Sequence, residues 1–161
     1  MVDIESTSVM VTSVYSKMER TLKAVRKVLG HPLTLADKLL LGHLEDPERQ
    51  QMEPGLSHLS LRPDRVALQD VLGQTVMLQF MQTRRTRAAV PTTVHCDHLV
   101  QARVEGGSDL LASLDENKEV YDFLRTAANK YGLGFWGPGS GIIHQVVLEN
   151  YAFPGGMMLG T

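Results

Sequence analysis

From Asp64 onward the chain alternates segments of helical periodicity with short apolar runs bounded by glycine or proline, and this alternation leaves few architectures open. Asp64 reads as the cap of a helix to about Met81, with Val66, Val71, Leu72, Thr75, Leu78 and Met81 on its buried side. Ala88 to His95 reads as a strand, with Pro91 near its start or at an unpaired position. Ser108 to Tyr131 has the pattern of one helix closed by Gly132. Phe135-Trp136 reads as a short strand, Gly137 to Gly141 as a loop, Ile142 to Asn150 as a helix and Met157 to Leu159 as another strand. The order predicts a layered α/β domain with a mostly parallel sheet.

The first part of the chain is less regular. Residues 1 to 14 are mixed and read as weakly structured. A helix is expected from Ser16 to Leu29, stopped by Gly30 and Pro32, and Thr34 then caps a short helix from Leu35 to Gly42. His43 to Pro63 is rich in turn residues and reads as a surface loop. The 161 residues fit one domain. A net charge of -2 gives no electrostatic footprint for nucleic acid, and Arg84, Arg85 and Arg87 read as a solvated loop. No apolar run is long enough to span a bilayer. The start, Met1 to Glu5, carries two acids and no arginine, so an Arg-rich presequence is expected to be absent or already removed. The single cysteine, Cys96, can form neither an internal disulfide nor a CxxC metal site.

The densest polar group is His95-Cys96-Asp97-His98, at the carboxyl end of the expected strand. In open α/β sheets ligands gather beyond such ends. A carboxylate beside an imidazole fixes its tautomer and makes a general acid or a group that polarises a hydroxyl. Spacing alone favours a set of satisfied polar residues closing a strand, and ranks a metal site at His95 and His98, with Cys96, last. Gly137-Pro-Gly-Ser-Gly141 leads into a helix and resembles an anion-holding loop, but no GK[ST] follows and tight packing is the favoured reading. His144, one turn into that helix, and Gln69, in the first turns of the helix after Pro63, carry no signal by themselves.

Longer segments say more. PLTLADKLLLGHLEDP (Pro32 to Pro47), RPDRVALQD (Arg62 to Asp70), AAVPTTVHCDHL (Ala88 to Leu99) and EVYDFLRTAANKYGLGFWGPGSGIIHQVVLENYAFPGGMMLGT (Glu119 to Thr161) resemble the aconitase family, closer to its mitochondrial type than to its cytosolic, RNA-binding type. The resemblance covers nearly the whole chain after the first fifteen or so residues. It implies a three-layer fold like the first α/β domain of aconitase over residues 16–161, preceded by an extension over residues 1–15. It also implies the interconversion of citrate and isocitrate, a mitochondrial location, and roles for four residues. By resemblance, Gln69 contacts substrate, Asp97 and His98 act on the substrate hydroxyl and its proton, and His144 belongs to a second carboxylate–histidine pair.

Three departures bear on activity. The family's [4Fe-4S] cluster needs three cysteine thiolates from downstream, and Cys96 is not a ligand position. The family continues after Gly-Thr with Asp-Ser-His, whereas this sequence stops at Thr161. The serine base and the arginines that clamp substrate carboxylates belong to later domains. A smaller departure is Gly137, where the family often has arginine. The expectation is an aconitase-like domain inactive alone, with no cofactor of its own and no metal site. It would serve as a non-catalytic subunit that meets other protein chains through surfaces exposed by the missing domains, and citrate and isocitrate would be ligands only of the full enzyme. The alternative is a fragment of a full-length [4Fe-4S] aconitate hydratase of the tricarboxylic acid cycle.

Overall fold

The computed structural model describes residues 4–161, which form two compact units. The first comprises Ser6–Asp64 and Phe153–Met157. Its main element is α1 (Ser8–Leu29), which begins eight residues earlier than expected. The Thr7 side chain accepts the amide of Met10 and caps it, although Val9, Val11, Thr12 and Val14 weaken the local helical preference. Of the stretch expected to be an extension, residues 1–3 lie outside the described residues. Leu22 and Val25 of α1 pack with Leu33, Leu41 and Leu44 to form this unit's core. α2 (Leu35–Leu41) starts, as expected, at Thr34, where side chain and backbone of Thr34 and Asp37 exchange hydrogen bonds in a capping box. The segment expected as a loop holds a 3-10 turn at Pro47–Arg49 and is closed by an antiparallel bridge between Leu44 and Leu61.

Asp64 is not a helix cap. Its Oδ2 accepts from His43 Nε2 at 2.8 Å and from the amide of Met157 at 2.9 Å. His43 Nδ1 lies 2.7 Å from the Leu39 carbonyl oxygen. Both ring nitrogens therefore face acceptors, which calls for a proton on each. The hydrogen bond to Asp64 holds the imidazole above its ordinary pKa, against the opposing effect of burial.

The second unit comprises Arg65–Ala152 and Met158–Thr161, with Ile4 and Glu5. Four parallel strands, β1 (Arg65–Gln69), β2 (Thr92–His95), β3 (Gly134–Trp136) and β4 (Met158–Gly160), lie in the order β3-β2-β1-β4. Crossovers run through α3 (Leu72–Gln82), the pair α4 (Gly106–Glu116) and α5 (Lys118–Tyr131), and α6 (Ile143–Asn150). Strand alternation sorts the side chains. Val66, Leu68, Val94 and Cys96 point into a core with Met77 of α3 and Leu124, Ala127 and Ala128 of α5. Arg65 and His95 point to the other face, where the Arg65 guanidinium lies 3.4 Å from the Tyr151 ring centroid and His95 stacks on Trp136. Helices thus flank the sheet in three layers, as expected.

Two expected elements differ. Arg65 to Gln69 is a strand, not the start of a helix: it is paired on both edges and mostly buried, and without a glycine or proline before α3 the two elements read as one. A doubly buried apolar run has no periodicity to separate strand from helix. The expected long helix over 108–131 is two helices broken at Asn117, whose side-chain amide donates to the Ser113 carbonyl. The Ala88 to His95 strand is confined to Thr92–His95, with Pro91 just before it.

α5 ends at Gly132 with φ 71°, in the left-handed region, and a side chain there would meet no atom within 4 Å. Gly132→Ala is therefore expected to destabilise by backbone strain alone, about 1–2 kcal/mol. Urea denaturation reads this directly, and unchanged stability would refute it.

Candidate active site

The register that pairs Gln69 with His95 places the carboxyl ends of β1 and β2 side by side. Asp70 follows β1, and Asp97 and His98 follow β2. Asp70 is fully buried, and its two carboxylate oxygens accept the backbone amides of His98 at 3.2 Å and Leu99 at 3.1 Å. Burial pushes its carboxyl above the usual range, and these two amides partly oppose that. His98 Nδ1 lies 2.7 Å from Asp97 Oδ1 and 3.7 Å from Asp70 Oδ1. Asp97 Oδ2 accepts the amide of Ile143, the first residue of α6, at 2.7 Å.

These distances define a small machine. Asp97 is held by the first amide of α6. Its other oxygen accepts a hydrogen bond from His98 Nδ1, an arrangement that directs Nε2 toward a group outside the pair. The His98 side chain is 45% exposed, whereas that of Asp97 is 9% exposed, so the imidazole alone faces outward.

The other expected site residues share this rim without joining the pair. Gln69 lies at the end of β1 rather than in helical turns. Its side-chain oxygen accepts the amide of Val71, and its own amide donates to Thr161 Oγ1 at 3.0 Å. His144 is exposed on α6 and lines a cavity of about 560 Å³ with Ala67, Gly160 and Thr161. Among the described residues no hydrogen bond links Gln69 or His144 to His98. Asp97 nonetheless ties itself to the helix that carries His144.

His95 and Cys96 do not join this site. They point to opposite faces of β2, so a His95–Cys96–His98 metal set is not assembled. His95 Nε2 is 2.8 Å from Thr93 Oγ1, and burial lowers its pKa to about 4, leaving the ring neutral. Among the described residues, Asp70, Asp97 and His98 are close enough to share an ion, with ligand atoms within 4.8 Å of one another. The glycine loop serves packing. A Cβ on Gly139 would come within 3.0 Å of Leu110, and the amide of Ile143 is already taken by Asp97. Sequence reasoning missed Asp70. Its signal was a carboxylate just beyond a strand, hidden because the strand read as a helix.

The profile of the aconitase family (aconitate hydratase) matches residues 37–161. This chain belongs to the aconitase family. It is 58% identical over 147 residues to the mitochondrial aconitate hydratase of Candida albicans. It is 57% identical over 147 residues to that of Saccharomyces cerevisiae and 55% identical over 147 residues to the probable mitochondrial aconitate hydratase of Caenorhabditis elegans. Each match takes in 91% of this chain and 19% of the relative, so the chain spans about a fifth of the length of these aconitases.

The aconitase family generally depends on a [4Fe-4S] cluster, which is held by cysteine thiolates. The residues present do not fit one. Cys96 is the single cysteine, it is buried in the sheet core, and burial pushes its thiol up to about 12. It stays protonated and out of reach of iron.

Proposed function

We propose that this chain is the proton-handling part of an aconitase-type site. His98, oriented by Asp97, acts on the hydroxyl of a tricarboxylate such as citrate, and Gln69 and His144 contact that ligand from the same rim. The observation that carries this reading is the 2.7 Å Asp97–His98 pair at the end of a parallel strand, with Asp97 anchored on α6. Turnover needs a Lewis acid and clamping groups that these residues do not supply. A lost metal forfeits several kcal/mol of charge stabilisation and each lost donor about 10²-fold or more. The 161 residues alone are therefore a non-catalytic unit that works with other protein chains. The exposed Ile142, Leu148 and Leu159 support such docking. The mitochondrial names of the relatives support a mitochondrial location.

One observation favours a second reading. Matching 91% of this chain but only 19% of each relative suits the leading part of a full aconitate hydratase equally well. The intact mass of the natural protein decides between them. A mass near 17.8 kDa supports the subunit, and one several times larger supports the fragment. Both readings expect no interconversion of citrate and isocitrate by the purified chain, and measurable turnover by it would overturn both.

A further inference from the structure

Residues 153–157 lie between α6 and β4 in the chain and pack within the first unit, where separate ties hold them. Tyr15 Oη donates to the Pro154 carbonyl at 2.8 Å, and the Tyr15 ring meets Phe153 edge-on. Asp64 holds Met157 twice. Its amide donates to the Met157 carbonyl at 2.8 Å, and its Oδ2 accepts the Met157 amide at 2.9 Å. Between these ties is Gly155, where the Leu39 side chain stands 3.7 Å from the position a Cβ would take. The segment itself carries no titratable side chain.

His43 connects α2 to this arrangement. Its backbone amide donates to the Leu40 carbonyl at 3.2 Å, so the Leu39 carbonyl at the end of α2 is served by the ring instead, through Nδ1 at 2.7 Å. Nε2 faces Asp64 at 2.8 Å. The residue is 2% exposed, and turning the ring over only exchanges one acceptor for the other. The charged groups acting on the ring are Asp64, just before β1, and Lys17 of α1, while α2 contributes the Leu39 carbonyl.

A single remaining proton cannot serve both acceptors. Between a carboxylate and a carbonyl it stays with the carboxylate, the stronger of the two. Nδ1 then turns a lone pair toward the Leu39 oxygen at a separation that only a hydrogen bond sustains. We propose that His43 is a proton-operated clasp, which holds the end of α2 against residues 153–157 while both ring nitrogens carry protons and frees it when Nδ1 loses its own. The tie between Asp64 and Met157 survives that loss, so the segment loosens at Gly155 and stays anchored at Met157. The hydrogen bond to Asp64 outweighs both burial and Lys17, so the change falls above the ordinary histidine value of about 6.5.

The test is nuclear magnetic resonance of the purified, nitrogen-labelled chain from about pH 6 to 9. Both nitrogens of the His43 ring are expected to carry protons at the acid end, and Nδ1 alone is expected to lose its proton as pH rises. Amide protection at Gly42 and His43 is expected to fall at least about threefold with the same midpoint, and the Gly155 signal to move with it, while protection at Met157 holds. Lys17→Met leaves every bond of the clasp in place and removes a like charge, so it is expected to move that midpoint upward. Loss of the Nε2 proton in place of Nδ1, a midpoint below about 6.5, or a ring that keeps one charge state throughout would each overturn the proposal. So would a response at Gly42, His43 and Gly155 that departs from the ring's midpoint, or a midpoint that Lys17→Met leaves unmoved or lowers.

Discussion

Asp64→Ala is expected to lower the free energy of unfolding by about 3–5 kcal/mol, because it removes one half of a buried charged pair and strands the other. His43 is 2% exposed, and both of its nitrogens face acceptors. Without Asp64 the ring must discard a proton or stay charged without its counter-charge, and the amide of Met157 loses its acceptor as well. The pair also predicts a pH dependence of definite sign. A histidine whose pKa is raised on folding stabilises fully below its unfolded value of about 6.5 and loses that contribution as pH rises through the higher folded value. Lys17 acts in the opposite sense on the ring, and Asp64 and the Leu39 carbonyl dominate it. Urea denaturation across about pH 6 to 9 should show this decline in the parent and its disappearance in Asp64→Ala. A parent stability that is flat or rises over that span would show that the pair does not hold its extra proton.

Asp70→Ala is expected to have the second largest effect, about 2–5 kcal/mol, from two backbone amides left without their acceptor. The damage should be local in a way that a core cavity is not. The carboxylate of Asp70 holds the amides of His98 and Leu99, so hydrogen exchange at those two positions should accelerate well beyond the change in global stability. Asp70→Asn keeps one acceptor oxygen and should restore one of the two amides. If exchange at His98 and Leu99 rose only in step with global unfolding, Asp70 would be part of the core and not a support for the imidazole.

Much of this arrangement was legible in the residues. Gly132, the Thr34 cap, and the Phe135-Trp136 and Met157 to Leu159 runs each announce themselves through local backbone chemistry, and α6 and β4 lie where the pattern puts them. The Asp97–His98 pair is legible because its partners are adjacent in sequence. What escaped depends on contacts between distant residues. Arg65 to Gln69 reads as a helix until both of its faces are covered, and with that error Asp70 drops out of view and Gln69 is put on the wrong element. Asp64 looks like a cap because His43, which claims it, lies 21 residues away. Asn117 breaks a pattern that continues as helix on both sides.

One detail of the rim reaches further than its size suggests. The two oxygens of Asp97 are divided between His98 and the first amide of α6. One carboxylate therefore joins the imidazole to the start of α6, so the orientation of the ring and the position of that helix are linked through Asp97. Ile143 and Val146 are the buried residues of that helix. A change in their packing is expected to shift the amide of Ile143 and with it the Asp97–His98 pair, which faster hydrogen exchange at that amide would show.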